Sequence, residues 1–178
     1  MVKRISTMLF VLFLLVAANG RADGDDDNYK ADFIIKLFSY VDWPAGKAAG
    51  ADGAVTVGVV GPASCMAQLK AAADKRTGEG KKTIVKELAI DGDFSGCQVV
   101  FFQTQEKPEL AKILKKIGGQ PILSVGDCPG FAKFGVMVNF YTEADGGKTK
   151  VKFEINTVTV GDAQLKISSS LLKLARLI

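Results

Sequence analysis

The sequence predicts a single-domain α/β protein: a three-layer sandwich in which a mostly parallel sheet carries an antiparallel hairpin at its C-terminal end. Three observations lead to this fold class. Strand-like runs alternate with helical patterns through the first two thirds of the chain, which is typical of a parallel sheet with helices on both faces. Two strand-like runs then flank Asp145-Gly146-Gly147, a typical hairpin turn. The segment expected to fold, residues 23–178, is long enough for one core.

Hydrophobic periodicity and turn residues predict the elements in chain order. The first is a helix over residues 29–41, with Asp27 or Asn28 as its cap and Trp43-Pro44 beyond its end. Further helices are predicted over residues 64–75 and 108–117. Strands are predicted over residues 55–60, 83–88, 98–102, 121–125, 136–141 and 149–155.

The last part of the chain is less regular. Residues 156–164 are compatible with a short helix, but β-branched residues at 157–160 would also suit a strand. Ser168 can cap a last helix. The apolar face of that helix would consist of Leu171, Leu172, Leu174, Ala175 and Ile178.

Residues 1–22 have the composition of a secretory signal peptide. Lys3 and Arg4 precede an unbroken apolar run over residues 8–18, and small residues follow the run. The run is shorter than the about 20 apolar residues that span a bilayer. We therefore expect cleavage after Gly20 or Ala22 and a mature domain, residues 23–178, that folds outside the cytoplasm.

Composition excludes several classes of function. The chain has 23 basic and 19 acidic residues, but three basic residues lie in the predicted signal peptide, so the mature domain has 20 basic residues and a formal charge of +1. This balance gives no electrostatic basis for binding nucleic acid. The chain has no histidine, which excludes Ser-His-Asp and Cys-His catalysis and His-ligated metals. We expect a non-enzymatic protein without metal or cofactor.

Cysteines and aromatic residues supply the candidate site residues. Cys65 and Cys128 follow the first and fourth strands on one rim of the predicted sheet, whereas Cys97 precedes the third strand on the other rim. In an oxidising compartment this placement favours a Cys65–Cys128 disulfide over Cys65–Cys97, with three buried thiols as the alternative. Tyr40 and Trp43 lie at the end of the first helix. They are either anchors for a partner protein or packing residues of the helix end.

An ordered set of segments resembles the YfiR family of small periplasmic proteins. The matching segments are Tyr40-Val41-Asp42-Trp43-Pro44, Val57-Gly58-Val59-Val60-Gly61, Gly96-Cys97-Gln98-Val99-Val100-Phe101-Phe102, Pro121-Ile122-Leu123-Ser124-Val125-Gly126-Asp127, Phe131-Ala132, Val138-Asn139-Phe140, Val151-Lys152-Phe153-Glu154-Ile155-Asn156 and Ile167-Ser168-Ser169-Ser170-Leu171-Leu172-Lys173-Leu174-Ala175-Arg176. Together they cover nearly the whole mature chain. Relatives often carry a cysteine in the first strand, where this chain has Gly58.

The resemblance implies a secreted regulator that acts by contact. It implies binding to the periplasmic sensor domain of an inner-membrane diguanylate cyclase, which is held inactive; other relatives serve membrane histidine kinases. It further implies that an outer-membrane lipoprotein sequesters the regulator, after which cytoplasmic cyclic di-GMP rises, and that the redox state of the cysteines affects folding. The sequence is also compatible with a homodimer. The alternative is a periplasmic small-ligand binding protein that uses the rim at the carboxyl ends of the strands.

Overall fold

The computed structural model of the protein describes residues 22–178 except positions 63, 104, 105 and 147. Residues 1–21, nearly all of the predicted signal peptide, lie outside this range. The described helices are α1 (Ala22–Lys36), α2 (Met66–Gly78), α3 (Lys107–Ile117), α4 (Thr157–Asp162) and α5 (Ser169–Leu172), with 3-10 turns at Leu37–Ser39 and Phe131–Phe134. The described strands are β1 (Val41–Asp42), β2 (Val55–Val60), β3 (Thr83–Leu88), β4 (Val99–Phe102), β5 (Leu123–Gly126), β6 (Val138–Asp145), β7 (Lys148–Ile155), β8 (Lys166–Ile167) and β9 (Arg176–Leu177). Within the described range, no helix is both long and apolar enough to cross a membrane.

A seven-stranded sheet forms the middle layer, in the order β3-β2-β4-β5-β6-β7-β9. The first five strands in this order are parallel, β7 is antiparallel to β6, and β9 is parallel to β7. The predicted fold class and its C-terminal hairpin are therefore confirmed. The parallel strands follow the 2-1-3-4-5 order of doubly wound proteins, so a topological switch point lies between β2 and β4.

Helices cover both faces of the sheet. α1 and α2 pack on one face, where Ile34 and Leu69 belong to a large apolar cluster, and α3 packs on the other through Leu110 and Ile113. All four residues of β4 are buried, as expected for a central strand with an unbroken apolar sequence. A separate two-stranded sheet pairs β1 with β8.

The first helix differs from the prediction at both ends. It includes residues 22–28, which lie before the predicted start near position 29, because acidic residues over 23–27 suit the positive end of a helix dipole. The α-helix ends at Lys36, and a 3-10 turn follows. Val41 is not helical but pairs with Ile167 in the small sheet, since a β-branched residue fits a strand better.

The C-terminal segment is also different from the prediction. Ser168 does act as a helix cap, but α5 ends at Leu172, and residues 176–177 form a strand beside β7. Of the predicted apolar face, Leu171 is buried, whereas Leu174 is 75% exposed. The open choice over residues 156–164 is decided by Asn156, whose side-chain oxygen accepts hydrogen bonds from the Val158 and Thr159 amides and starts α4.

Candidate functional site

The switch point between β2 and β4 is bridged by a network of polar side chains at the carboxyl rim, the end of the sheet where the parallel strands finish. The Lys30 Nζ of α1 donates to Asp127 at 2.7 Å, and the Gln103 amide donates to the same carboxylate at 2.9 Å. The Gln103 oxygen accepts from the Ser64 amide at 2.8 Å. These four residues are called the rim network below. They tie the loops after β2, β4 and β5 to α1.

The rim network occupies the position where doubly wound proteins commonly bind their ligands. The side chains of Lys30 and Asp127 are only 13% and 15% exposed, so their ion pair is largely withdrawn from water. Breaking such a pair to admit a ligand would leave a poorly solvated charge. The geometry therefore favours a closed rim over an open ligand site at the carboxyl ends of the strands.

The three cysteines are buried thiols. Cys65 belongs to the apolar cluster under α1 and α2, whereas Cys97 and Cys128 belong to the cluster on the opposite face of the sheet. The predicted Cys65–Cys128 disulfide is not formed in this structure, because the two residues share a rim but pack on different faces. Burial, reinforced by the Asp27 carboxylate, raises the pKa of the Cys65 thiol to about 11. Burial likewise raises the pKa values of the other two thiols.

Gly58 faces one of these thiols. A Cβ atom added at Gly58 would lie 3.0 Å from the Sγ of Cys97 and 2.6 Å from the Cδ1 of Leu88. The first distance is close to the separation between a Cβ and the partner sulfur across a disulfide. The cysteine that relatives often carry in this strand would thus face Cys97 directly.

Tyr40 and Trp43 lie near the opposite, amino rim of the sheet. The Tyr40 carbonyl accepts a hydrogen bond from Ser168 at 2.8 Å, and the residue is 40% exposed. Trp43 is half-buried and stacks on Phe38, with ring centroids 5.7 Å apart. It lines a cleft of about 370 Å³ that also includes Arg76. Tyr40 is thus an accessible side chain, whereas much of Trp43 is used in packing.

An ionic cluster around the buried carboxylate of Glu154 lies at the far edge of the sheet, and no local sequence pattern indicates it. Glu154 of β7 is 2% exposed and accepts from the Arg176 Nε at 3.0 Å and from the Asn139 amide at 3.1 Å. The Asn139 amide also donates to the Cys128 carbonyl, and the Arg176 guanidinium lies 3.8 Å from the centroid of the Tyr141 ring. The Glu154 carboxylate raises the pKa of Arg176. The ion pair between Glu154 and Arg176 thus stabilises the short strand β9 beside β7.

The fold and the closed rim define a class: a doubly wound α/β domain with its ligand-binding crevice bridged by its own side chains. Within that class, residues 27–176 match the YfiR/HmsC-like family, and the chain belongs to it. The family is one of periplasmic regulators of signalling. The fold is also similar to the crystal structure of a conserved domain protein from Vibrio cholerae, with a TM-score of 0.55 and 10% identity. That match covers 85% of this chain and 59% of the other, and it concerns the fold only.

Proposed function

We propose that this protein is a non-catalytic periplasmic regulator that binds an inner-membrane signalling protein, such as a diguanylate cyclase or a histidine kinase, and represses it. Membership of the YfiR/HmsC-like family across residues 27–176 is the observation that carries this proposal. With a cyclase as the target, release of the regulator would raise cyclic di-GMP in the cytoplasm. An outer-membrane lipoprotein that sequesters the regulator would provide that release.

Repression follows from selective binding. A regulator that binds the inactive conformer of its target more tightly than the active one shifts the population toward the inactive state. No reaction at the regulator is needed for this effect. Aromatic side chains are common anchors of such contacts, and we assign this role to Tyr40 and Trp43. The exposure of Tyr40 supports its part of the assignment.

A small-ligand binding function at the carboxyl rim has less support than the regulator function. The rim network bridges that crevice, and the ion pair between Lys30 and Asp127 would have to open before a ligand could enter. Ligand-induced thermal stabilisation that disappears in Asp127→Asn would favour the small-ligand function.

A crosslinked pull-down from the native cell envelope tests the regulator proposal. The tagged protein is crosslinked in the envelope, recovered, and analysed by mass spectrometry. Enrichment of an inner-membrane cyclase or kinase over a tag-only control is the expected result. Recovery without any membrane signalling protein would contradict the proposal and would direct the next measurement to a ligand screen.

A further inference from the structure

Three clefts lie in a row along α1 and α2 and are together called the α1–α2 groove. It consists of three adjoining clefts of about 520, 170 and 370 Å³. The first two share Asp32, Ala72 and Lys75, and the last two share Arg76. This α1–α2 groove ends at Trp43, one of the two residues that the sequence marks as a partner anchor.

The middle of the groove has an excess of positive charge. Lys36, Lys75, Arg76 and Lys81 line it, against the carboxylates of Asp32 and Glu79. In residues 22–178, as far as they are described, these four cations make no ion pair. Such a surface is complementary to a ligand that carries carboxylates.

The guanidinium of Arg76 is held in place before any partner arrives. It donates to the Thr83 hydroxyl at 2.8 Å and lies 5.1 Å from the centroid of the Phe38 ring. Phe38 in turn stacks on Trp43. A cation with few accessible rotamers loses less conformational entropy on binding than a mobile lysine does.

Two orphaned polar atoms mark the ends of the groove. Gln68 lines the first cleft and carries one of these atoms, the side-chain Oε1, whereas Trp43 lines the last cleft and carries the other, the indole Nε1. Both atoms are buried, and neither has a hydrogen-bond partner among the described residues. Every other buried side-chain nitrogen or oxygen of the described residues has a partner. Because buried polar atoms are normally hydrogen-bonded, each of these partly buried side chains would gain a partner by turning toward a polypeptide bound in the groove, which carries both donors and acceptors.

We infer that the α1–α2 groove binds a carboxylate-bearing segment of the partner protein. Carboxylates of the segment would lie beside Lys75 and Arg76, and its main chain would supply hydrogen bonds to Gln68 and Trp43. The inference rests on the proposed function, because it names the surface and the chemistry of the contact that the regulator makes. Asp42, at the Trp43 end, would repel an acidic residue there, so the charged part of the segment belongs in the middle of the groove.

Fluorescence of Trp43 provides the test, since it is the one tryptophan of the chain. The probe is a short poly-L-glutamate peptide, titrated into the purified protein at low salt. The groove variant is Lys36→Glu with Lys75→Glu, and the matched control is Lys112→Glu with Lys115→Glu on α3, across the sheet. All four lysines are exposed and in helices, so both variants change the net charge equally without disturbing the core.

We expect a saturable change in Trp43 emission that the groove variant weakens by about tenfold or more and the control by no more than about twofold. Equal weakening by both variants, or no response to the peptide, would overturn the inference. An equal response to inorganic phosphate would show that the groove is a simple anion site. A response to phosphatidylglycerol vesicles but not to the peptide would assign the groove to a membrane surface. Either outcome would overturn the inference. A change in oligomeric state over the same titration would assign the groove to a second copy and also overturn it.

The test also separates this inference from the proposed function. A signalling protein that is recovered in the pull-down and binds the groove variant as tightly as the unchanged protein would overturn the groove assignment and leave the regulator function standing. A pull-down without a signalling protein, together with a peptide response confined to the groove, would overturn the regulator function and support the groove as a carboxylate site.

Discussion

Gly58→Cys should create a disulfide with Cys97. Gly58 lies in β2, the strand beside the edge strand β3, and a Cβ at this position would be 3.0 Å from the Cys97 sulfur. A Cβ is about 3 Å from the partner sulfur when the S–S bond is about 2.05 Å long, so this distance fits a disulfide. The one obstacle is the Leu88 side chain, whose Cδ1 would lie 2.6 Å from the new Cβ. That atom is the tip of a flexible side chain on the edge strand, so it can move aside.

The magnitude follows from the length of the closed loop and from the crowding at Leu88. Positions 58 and 97 enclose about 40 residues, for which chain entropy predicts a stabilisation of about 4 kcal/mol. Overpacking against Leu88 costs about 1–3 kcal/mol. The oxidised variant should therefore be more stable than the unchanged protein by roughly 2 kcal/mol, and the reduced variant should be less stable by roughly 1–3 kcal/mol.

Urea unfolding with and without reductant measures both values. Gly58→Ala is the matched control, because it adds the same Cβ atom without a thiol and should lose stability equally in both conditions. Peptide mapping without reductant should recover a linked pair of peptides that contain positions 58 and 97. A Gly58→Cys variant with the same unfolding midpoint in both conditions, or with no linked peptide, would refute the orientation of β2 toward Cys97.

Three further predictions concern the partner contact and the core. Trp43→Ala should weaken binding of the pull-down partner without unfolding the protein; unchanged affinity, or loss of the fold seen by circular dichroism, would remove the anchor assignment. Glu154→Gln should lower the free energy of unfolding by roughly 2 kcal/mol, because it removes the buried charge that pairs with half-exposed Arg176. The control Lys152→Gln, in an exposed ion pair, should change the free energy of unfolding by less than about 0.5 kcal/mol. Equal effects of the two substitutions in urea unfolding would contradict the difference in burial. Since burial raises the pKa of the Cys65 thiol from 9.0 to about 11, the stability this residue contributes should be complete below pH 9 and lost as the pH rises toward 11. Unfolding measured across that range should show a smaller decline in Cys65→Ala, and an identical decline would contradict the assignment.

Most strands could be predicted from local sequence because each contains a strong local signal. β4 is an unbroken apolar run, which is typical of a strand buried on both faces. β7 alternates apolar residues with lysine and glutamate, as expected for a strand with one face on the core. In α3, the spacing of Leu110, Ile113 and Ile117 is visible without any tertiary information.

The candidate sites depend on contacts between distant segments, and local patterns hold little information about those contacts. Lys30 and Asp127 are 97 residues apart in the chain, and nothing near either residue indicates the other. The α1–α2 groove likewise joins two helices that are separated by the small sheet strand β1 and by β2. Its lysines have the ordinary appearance of solvent-facing helix residues in the sequence.

The fold class, the order of most elements, the absence of histidine chemistry and the resemblance to the YfiR family can all be predicted from the amino-acid sequence, because composition and periodicity are local properties. Contacts between distant segments place the cysteines on different faces of the sheet, bridge the switch-point crevice and make the chain end a strand rather than a helix. The last case shows the physical reason. The buried carboxylate of Glu154 needs a counter-ion, and Arg176 meets that need only when the chain leaves its helical periodicity and lies beside β7.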